Sequence, residues 1–335
     1  MMQYRYMGRT GLKVSALCLG CMTFGNEADE ETSKQIVNAF IAAGGNFFDT
    51  ANVYSRGVSE EILGRALFGR RHEVAVATKF RFAMGDGPND LGASRFHIVR
   101  SVEASLRRLQ TDYIDLYQIH CWDPGTPLDE TMRALDDLVR QGKVLYLGVS
   151  NFAAWQIMKA LCVSEVNGLA RFDCLQPQYS LIEREIEREI IPLCLSEGLG
   201  VIPWSPLGGG FLTGKYTREA QPAGARLTEN RSAPWENVWD KRATERNWAT
   251  LDVVREVASA HGVTPAQVAI AWVLAQPGVT APIIGARNLE QLSDNLDALN
   301  VELTAEELAR LDEISALTPV YPYRFIDFNS QPRAR

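Results

Sequence analysis

Val74-Ala75-Val76-Ala77-Thr78-Lys79, then the amphipathic stretch from Ser94 to Leu109, then Ile114-Asp115-Leu116-Tyr117-Gln118-Ile119-His120: the architecture can be read from this segment. The flanking runs are rich in aliphatic side chains and nearly continuous rather than alternating, which predicts strands buried on both faces. The stretch between them repeats its apolar residues with helical spacing, so the unit reads strand, helix, strand. Parallel strands need such a crossover.

Worked outward, the same unit recurs along the chain. Strands are predicted at 16–19, 46–49, 74–79, 114–119, 144–149, 174–176, 199–203 and 280–284. Helices are predicted at 30–43, 59–68, 94–109, 128–140, 153–166, 186–196, 248–261 and 265–275, with Pro265 at a first helical position and Gly44-Gly45 closing the first helix. Eight such units predict a closed (β/α)8 TIM barrel, α/β in class, with residues 1–335 as one domain. An open doubly wound sheet would call for G-x-G-x-x-G after a strand, and the chain has none. Tyr4–Tyr6 and Lys13-Val14 flank Gly8-Arg9-Thr10-Gly11 as a hairpin that would plug the barrel bottom. Residues 289–299 and 305–315 read as extra C-terminal helices, and 80–92, 217–242 and 318–335 as loops.

The 335 residues are 46% hydrophobic and 22% charged, the composition of a globular protein rather than a disordered or fibrous one. A formal charge of -7 with no basic run argues against nucleic acid or an anionic membrane as partner. Met1 to Thr10 is polar, and no apolar run reaches membrane-span length, so a cytoplasmic protein is expected. The six cysteines are irregularly spaced and are read as reduced; Cys18 and Cys21 form a C-x-x-C without the second pair a zinc site requires.

In a barrel, chemistry collects at the C-terminal ends of the strands. Asp49, Lys79 and His120 end three consecutive predicted strands, and Tyr54 follows Asp49 closely enough to fold over the same mouth. A buried lysine needs a carboxylate partner, and a cation beside a tyrosine favours phenolate, which predicts a Tyr54 pKa drawn down towards neutrality. His120 could orient a carbonyl oxygen or join the proton relay. A salt bridge with two packing rings is the bland alternative for any one of these residues. Four at adjacent strand ends favour a site.

Gly45-Asn46-Phe47-Phe48-Asp49-Thr50-Ala51-Asn52-Val53-Tyr54 and Gly148-Val149-Ser150-Asn151-Phe152 resemble the signatures of the aldo-keto reductase superfamily. Ser105-Leu106-Arg107-Arg108-Leu109-Gln110-Thr111-Asp112-Tyr113-Ile114-Asp115-Leu116 resembles that family's approach to its fourth strand, so the likeness spans nearly the whole chain. The resemblance implies an Asp49, Tyr54, Lys79 and His120 tetrad that reduces aldehydes or ketones with NADPH, Tyr54 being the general acid. It also implies a nicotinamide dinucleotide lying extended across the mouth, with Asp49 at its floor. Ser150, Asn151 and Gln176 would hold the carboxamide, and Trp204 would stack on the ring where many members carry Tyr.

Ser205, Pro206, Leu207, Gly208, Gly210 and Lys215 belong to a turn whose amides and lysine suit a pyrophosphate. Gly209 to Lys215 nearly fits a P-loop, but Tyr216 stands where Ser or Thr would hold magnesium. Gly285, Arg287, Gln291 and Asn295 follow the last strand into a helix start, a place that favours an anion. There Arg287 could grip a ribose 2'-phosphate, as could Arg226 in the long insert. Some branches of the family carry Lys-Ser at Gly285-Ala286 and Arg at Gln291; this chain departs from them, which keeps NADH possible beside NADPH.

Met22, Phe24, Tyr54, His120 and Trp122 are the expected substrate wall, with Tyr321 or Tyr323 from the tail, suited to an apolar or aromatic small-molecule carbonyl. Scattered histidines and the absence of H-E-x-x-H predict no catalytic metal. Two other functions compete. A cofactor-binding redox sensor or regulatory subunit with little turnover would keep the same fold, as the channel-associated branch of the family does. A barrel acting on phosphate-bearing sugars would need pocket cations, for which Arg56 and Arg81 are available.

Overall fold

The structure is a computed structural model that describes residues 1–218, 227 and 239–330. β1 (Tyr4–Tyr6) and β2 (Lys13–Ser15) form an antiparallel hairpin. β3 (Cys18–Gly20), β4 (Phe47–Asp49), β5 (Ala75–Phe80), β6 (Ile114–Ile119), β7 (Val144–Ser150), β8 (Phe172–Gln176), β9 (Gly200–Val201) and β10 (Ile283–Gly285) form one parallel sheet in the order β10-β3-β4-β5-β6-β7-β8-β9. The edges then meet: Thr280 N–H donates to Val201 O at 2.7 Å and Ile283 N–H to Pro203 O at 2.8 Å. The sheet is thereby closed into a (β/α)8 barrel, each predicted strand lying within a few residues of its place.

Where boundaries differ, proline explains most of the difference. β9 stops at Val201 and β10 starts only at Ile283 because Pro203 and Pro282 have no amide for the ladder. The predicted helix 186–196 is divided into a tight turn, Glu185–Glu187, and a helix, Ile190–Glu197. Pro192 would crowd the carbonyl four residues earlier, so the helix begins afresh at Ile190. Two stretches read as loops contain helix instead: Trp239–Arg242 in the insert and Tyr323–Asn329 in the tail.

The barrel interior is filled by small and medium apolar residues, among them Cys18, Ala77, Leu116, Cys174 and Ile202, with Phe47 as the large exception. The hairpin completes it from below. Met7 and Val14 are fully buried in this same cluster, and Arg9 N–H donates to Gly198 O at 3.0 Å. Gly8 has φ +53, and a Cβ there would stand 2.4 Å from Gly198 O, so only glycine seats the plug this closely. A second apolar layer, including Phe24, Phe48 and Trp272, lies between the strands and the surrounding helices. Among the described residues no single helix is long and apolar enough to cross a membrane.

Candidate active site

Inward-pointing residues alternate along each strand, and their character changes from bottom to top. β4 presents Phe47 then Asp49, β5 Ala75, Ala77 then Lys79, and β8 Cys174 then Gln176. In β6 the series is Leu116, Gln118 and, just past its end, His120. Register aligns these tops, with Asp49 beside Ala77 and Lys79 beside Gln118. An apolar floor thus carries a polar layer at the C-terminal mouth. Tyr54 reaches it from a tight turn, Tyr54–Gly57, anchored where Ser55 Oγ donates to Phe24 O at 3.0 Å.

Lys79 is fully buried and all three ammonium protons have partners: Asp49 Oδ2 at 2.6 Å, Thr50 O at 2.7 Å and Tyr54 Oη at 3.1 Å. Burial alone would depress the Lys79 pKa, but Asp49 and Tyr54 outweigh it and raise the pKa above its usual value, so the ammonium stays charged. The phenol of Tyr54 behaves otherwise than expected. Burial, joined by the negative charge of Asp49, pushes its pKa up against the opposing pull of Lys79, so Tyr54 is protonated at neutral pH rather than poised near it. His120 lies edge-on to Tyr54 with ring centroids 5.8 Å apart. Burial, with help from Lys79 and Arg81, holds its pKa well below the usual histidine value. A neutral imidazole beside a proton-bearing phenol can together grip and protonate an oxygen.

Two glutamines hold the carboxylate from its other side. Gln176 Nε2 donates to Asp49 Oδ1 at 2.8 Å and Gln118 Nε2 at 3.2 Å. Gln118 was not singled out from the sequence, yet the signal was present: it lies midway between Leu116 and His120 in the inward series. Ser150 Oγ donates to Gln176 O at 2.7 Å, and Asn151 Nδ2 donates to His120 O and Ser150 Oγ, each at 2.9 Å. These bonds spend the amide donors of Gln176 and Asn151 and leave their carbonyl oxygens, acceptors suited to the N–H groups of a carboxamide. Trp204 packs on the interior cluster from the mouth side, with its indole nitrogen buried and unpartnered.

The glycine turn is built differently from its expected use. Gly208, Gly209 and Gly210 have φ of 57°, 70° and 91°. Their amides donate to Ser205 O, Ser205 Oγ and Leu207 O, so they hold the turn itself rather than stand open to an anion. A Cβ on Gly210 would lie 3.2 Å from Lys215 Nζ, so the glycine leaves room for that lysine, while Pro206 is buried beneath. Beyond β10, Asn295 Nδ2 donates to Gly285 O at 3.0 Å and Gln291 Oε1 accepts from Arg287 N–H at 3.0 Å. Arg287 is not the free cation it was expected to be: it pairs with Glu27 at 2.9 Å. The spare carbonyls of Asn151 and Gln176 and the exposed helix start after Asn288 fit the carboxamide and phosphate ends of a dinucleotide.

The expected substrate wall divides. Trp122 stands half-buried against Phe152 and Trp155, with ring centroids 5.2 and 5.9 Å away. Met22 is exposed, and Tyr321 is 80% exposed. Phe24 is fully enclosed in the outer apolar layer, and Tyr323 is bonded to Glu189. Arg226 lies outside the described residues. Phe82, which the sequence reading passed over, packs on His120 at 4.6 Å. Among the described residues no group of His, Cys, Asp and Glu is placed to hold a metal ion, and the six cysteines are free.

A closed (β/α)8 barrel with a lysine-linked phenol at its mouth defines a class of enzyme whose chemistry sits at one end of the strands. Within that class the chain belongs to the aldo/keto reductase family, whose sequence pattern matches residues 16–316. It is 43% identical to an uncharacterised oxidoreductase, YrpG, of Bacillus subtilis, over 93% of this chain and 96% of that one. It is 38% identical to the versiconal hemiacetal acetate reductase of Aspergillus parasiticus, over 96% of this chain and 99% of that one. A probable voltage-gated potassium channel subunit beta of Oryza sativa is 40% identical, over 96% and 98%. The protein is an oxidoreductase acting on carbonyl groups, of a family that generally uses NAD(P)H.

Proposed function

We propose that this protein reduces aldehydes or ketones to alcohols with NADPH, with Tyr54 as the general acid. The observation that carries this reading is the Tyr54 hydroxyl 3.1 Å from a fully buried Lys79, itself 2.6 Å from Asp49, with a neutral His120 alongside. A nicotinamide dinucleotide held at these residues would supply the hydride for the carbonyl carbon. Tyr54 Oη gives its proton to the carbonyl oxygen as negative charge develops there, and the Lys79 ammonium stabilises the phenolate left behind. Asp49 keeps Lys79 charged and in place. His120, being neutral, orients the carbonyl oxygen by hydrogen bonding without adding a second cation. The reverse oxidation uses the same phenolate as base.

Ser150, Asn151 and Gln176 would hold the carboxamide, Trp204 would stack on the ring, and within the Ser205 to Lys215 turn Lys215, rather than the glycine amides, would meet the pyrophosphate. Arg287 would meet the 2'-phosphate once released from Glu27. A second reading, a cofactor-binding regulatory subunit with little turnover, is favoured by the channel-subunit relatives. Absorbance of NADPH with 4-nitrobenzaldehyde separates the two. Turnover in the native protein, falling about 100-fold or more in Tyr54→Phe with cofactor affinity kept, supports the reductase. Tight NADPH binding without turnover supports the regulatory subunit, and equal activity in both proteins removes Tyr54 as the acid.

A further inference from the structure

We propose that Arg81 forms an anion-binding subsite beside His120 and that the carbonyl compounds this protein takes carry a carboxylate. The proposal rests on the reductase reading above, since it names that reaction's substrate class. Arg81 follows β5 directly, two residues beyond Lys79, and so stands on the rim of the mouth. Its φ is 120°, a conformation that favours glycine, yet the position carries a long cationic side chain. The surrounding chain enforces it: Gly92 N–H donates to Arg81 O at 2.8 Å, and Arg81 Nη2 donates to Trp122 O at 3.1 Å. Backbone held against its preference is a mark of functional positions.

The guanidinium itself is under-used. Nε is buried with no hydrogen-bond partner, and Arg81 forms no ion pair with any described residue. Asp123 is the acid that feels its charge, but that carboxylate is occupied by the Ala93 and Gly125 amides and the Thr126 hydroxyl. A brace between two loops explains one of five donors and no part of the charge. The side chain also lies close to the reaction: its Cζ is 5.6 Å from the Phe82 ring, which packs 4.6 Å from the His120 ring, and its charge is felt at His120. A planar fork with one unspent charge matches a carboxylate better than a phosphate dianion, which would call for a second cation. Lys79, the other cation at this point, has no proton to spare.

The test compares two aldehydes that differ only in charge, 4-carboxybenzaldehyde and methyl 4-formylbenzoate, by kcat/KM in the native protein, Arg81→Met and Arg81→Lys. The native protein is expected to prefer the acid about tenfold or more, the Lys variant less, and the Met variant not at all. A second measurement needs no turnover: calorimetry of 4-methylbenzoate and its methyl ester, which carry no oxidisable alcohol, on the native protein and Arg81→Met saturated with NADP+. Tighter binding of the acid is expected. If the ester is reduced but neither ratio favours the acid, the subsite is wrong and the reductase reading stands. Acid-selective binding lost in Arg81→Met, with neither aldehyde reduced, would keep the anion subsite and overturn the reductase reading. A preference unchanged in Arg81→Met would overturn the assignment to Arg81.

Discussion

Replacing Lys79 with methionine preserves most of the side chain's volume and removes only its charge and donors. Asp49, 2% exposed, would then keep its Gln118 and Gln176 bonds on Oδ1 while Oδ2 lost its partner at 2.6 Å. Removing one member of a buried ion pair costs about 3–5 kcal/mol, because the other charge stays buried without compensation. With an unfolding entropy of about 2.1 cal/mol/K per residue over this chain, that is a fall in Tm of roughly 4–7 °C. The double variant Asp49→Asn, Lys79→Met removes both charges and should recover most of the loss, so the two substitutions should be strongly non-additive. Thermal and urea unfolding of the native protein, Lys79→Met, Asp49→Asn and the double variant at pH 7 measures the cycle. A loss under about 1 kcal/mol in Lys79→Met, or additive losses in the double variant, would refute the picture of a dry, compensated pair beneath Tyr54.

Three other perturbations test separate parts of the molecule. Arg287→Ala should weaken NADPH far more than NADH, and Glu27→Gln should tighten NADPH by freeing the guanidinium; fluorescence titration reads both, and an equal effect on the two cofactors would count against a 2'-phosphate contact. Burial raises the Asp173 carboxyl to about 6, against the smaller downward pulls of Arg171, the Leu147 amide and Arg9. The folded chain therefore binds that proton more tightly than the unfolded chain. The resulting penalty is absent below about pH 4, grows between 4 and 6 and is complete above. Asp173→Asn should accordingly raise stability on the order of 3 kcal/mol at pH 8 and hardly at all at pH 4, as urea midpoints at the two values would show. Met7→Ala removes a fully buried side chain of the plug and should cost about 2–5 kcal/mol in urea unfolding, with little change if the hairpin only rests on the surface.

The strands were legible because their runs are rich in apolar residues, and because three of the predicted strands close on Asp49, Lys79 and His120 those residues could be named before their geometry was known. The hairpin plug was legible too, from a glycine-rich turn between short β-prone runs. What escaped notice depends on neighbours distant in sequence. Nothing local to Arg287 announces that Glu27 reaches it across the β3 and β10 ends, and nothing local to Tyr54 shows that burial and Asp49 together outweigh the lysine. The glycine turn misled because composition reports flexible backbone but not where its amides point. Gln118 was missed because an amide carries less chemical suggestion than a carboxylate or an imidazole.

The join between β10 and β3 also bears on how this molecule comes into being. Cys18 sits in register with Ile283, and Arg5 donates to Leu274 O from 269 residues away. Contacts that long in sequence are slow to form, since a large loop must close before they reward it. During synthesis β3 must therefore wait as an unpaired, apolar strand edge until nearly the whole barrel has emerged behind it. That interval exposes the nascent chain to pairing with other copies of itself. Yield of native protein should respond to temperature and expression rate more steeply than the stability of the finished barrel would suggest.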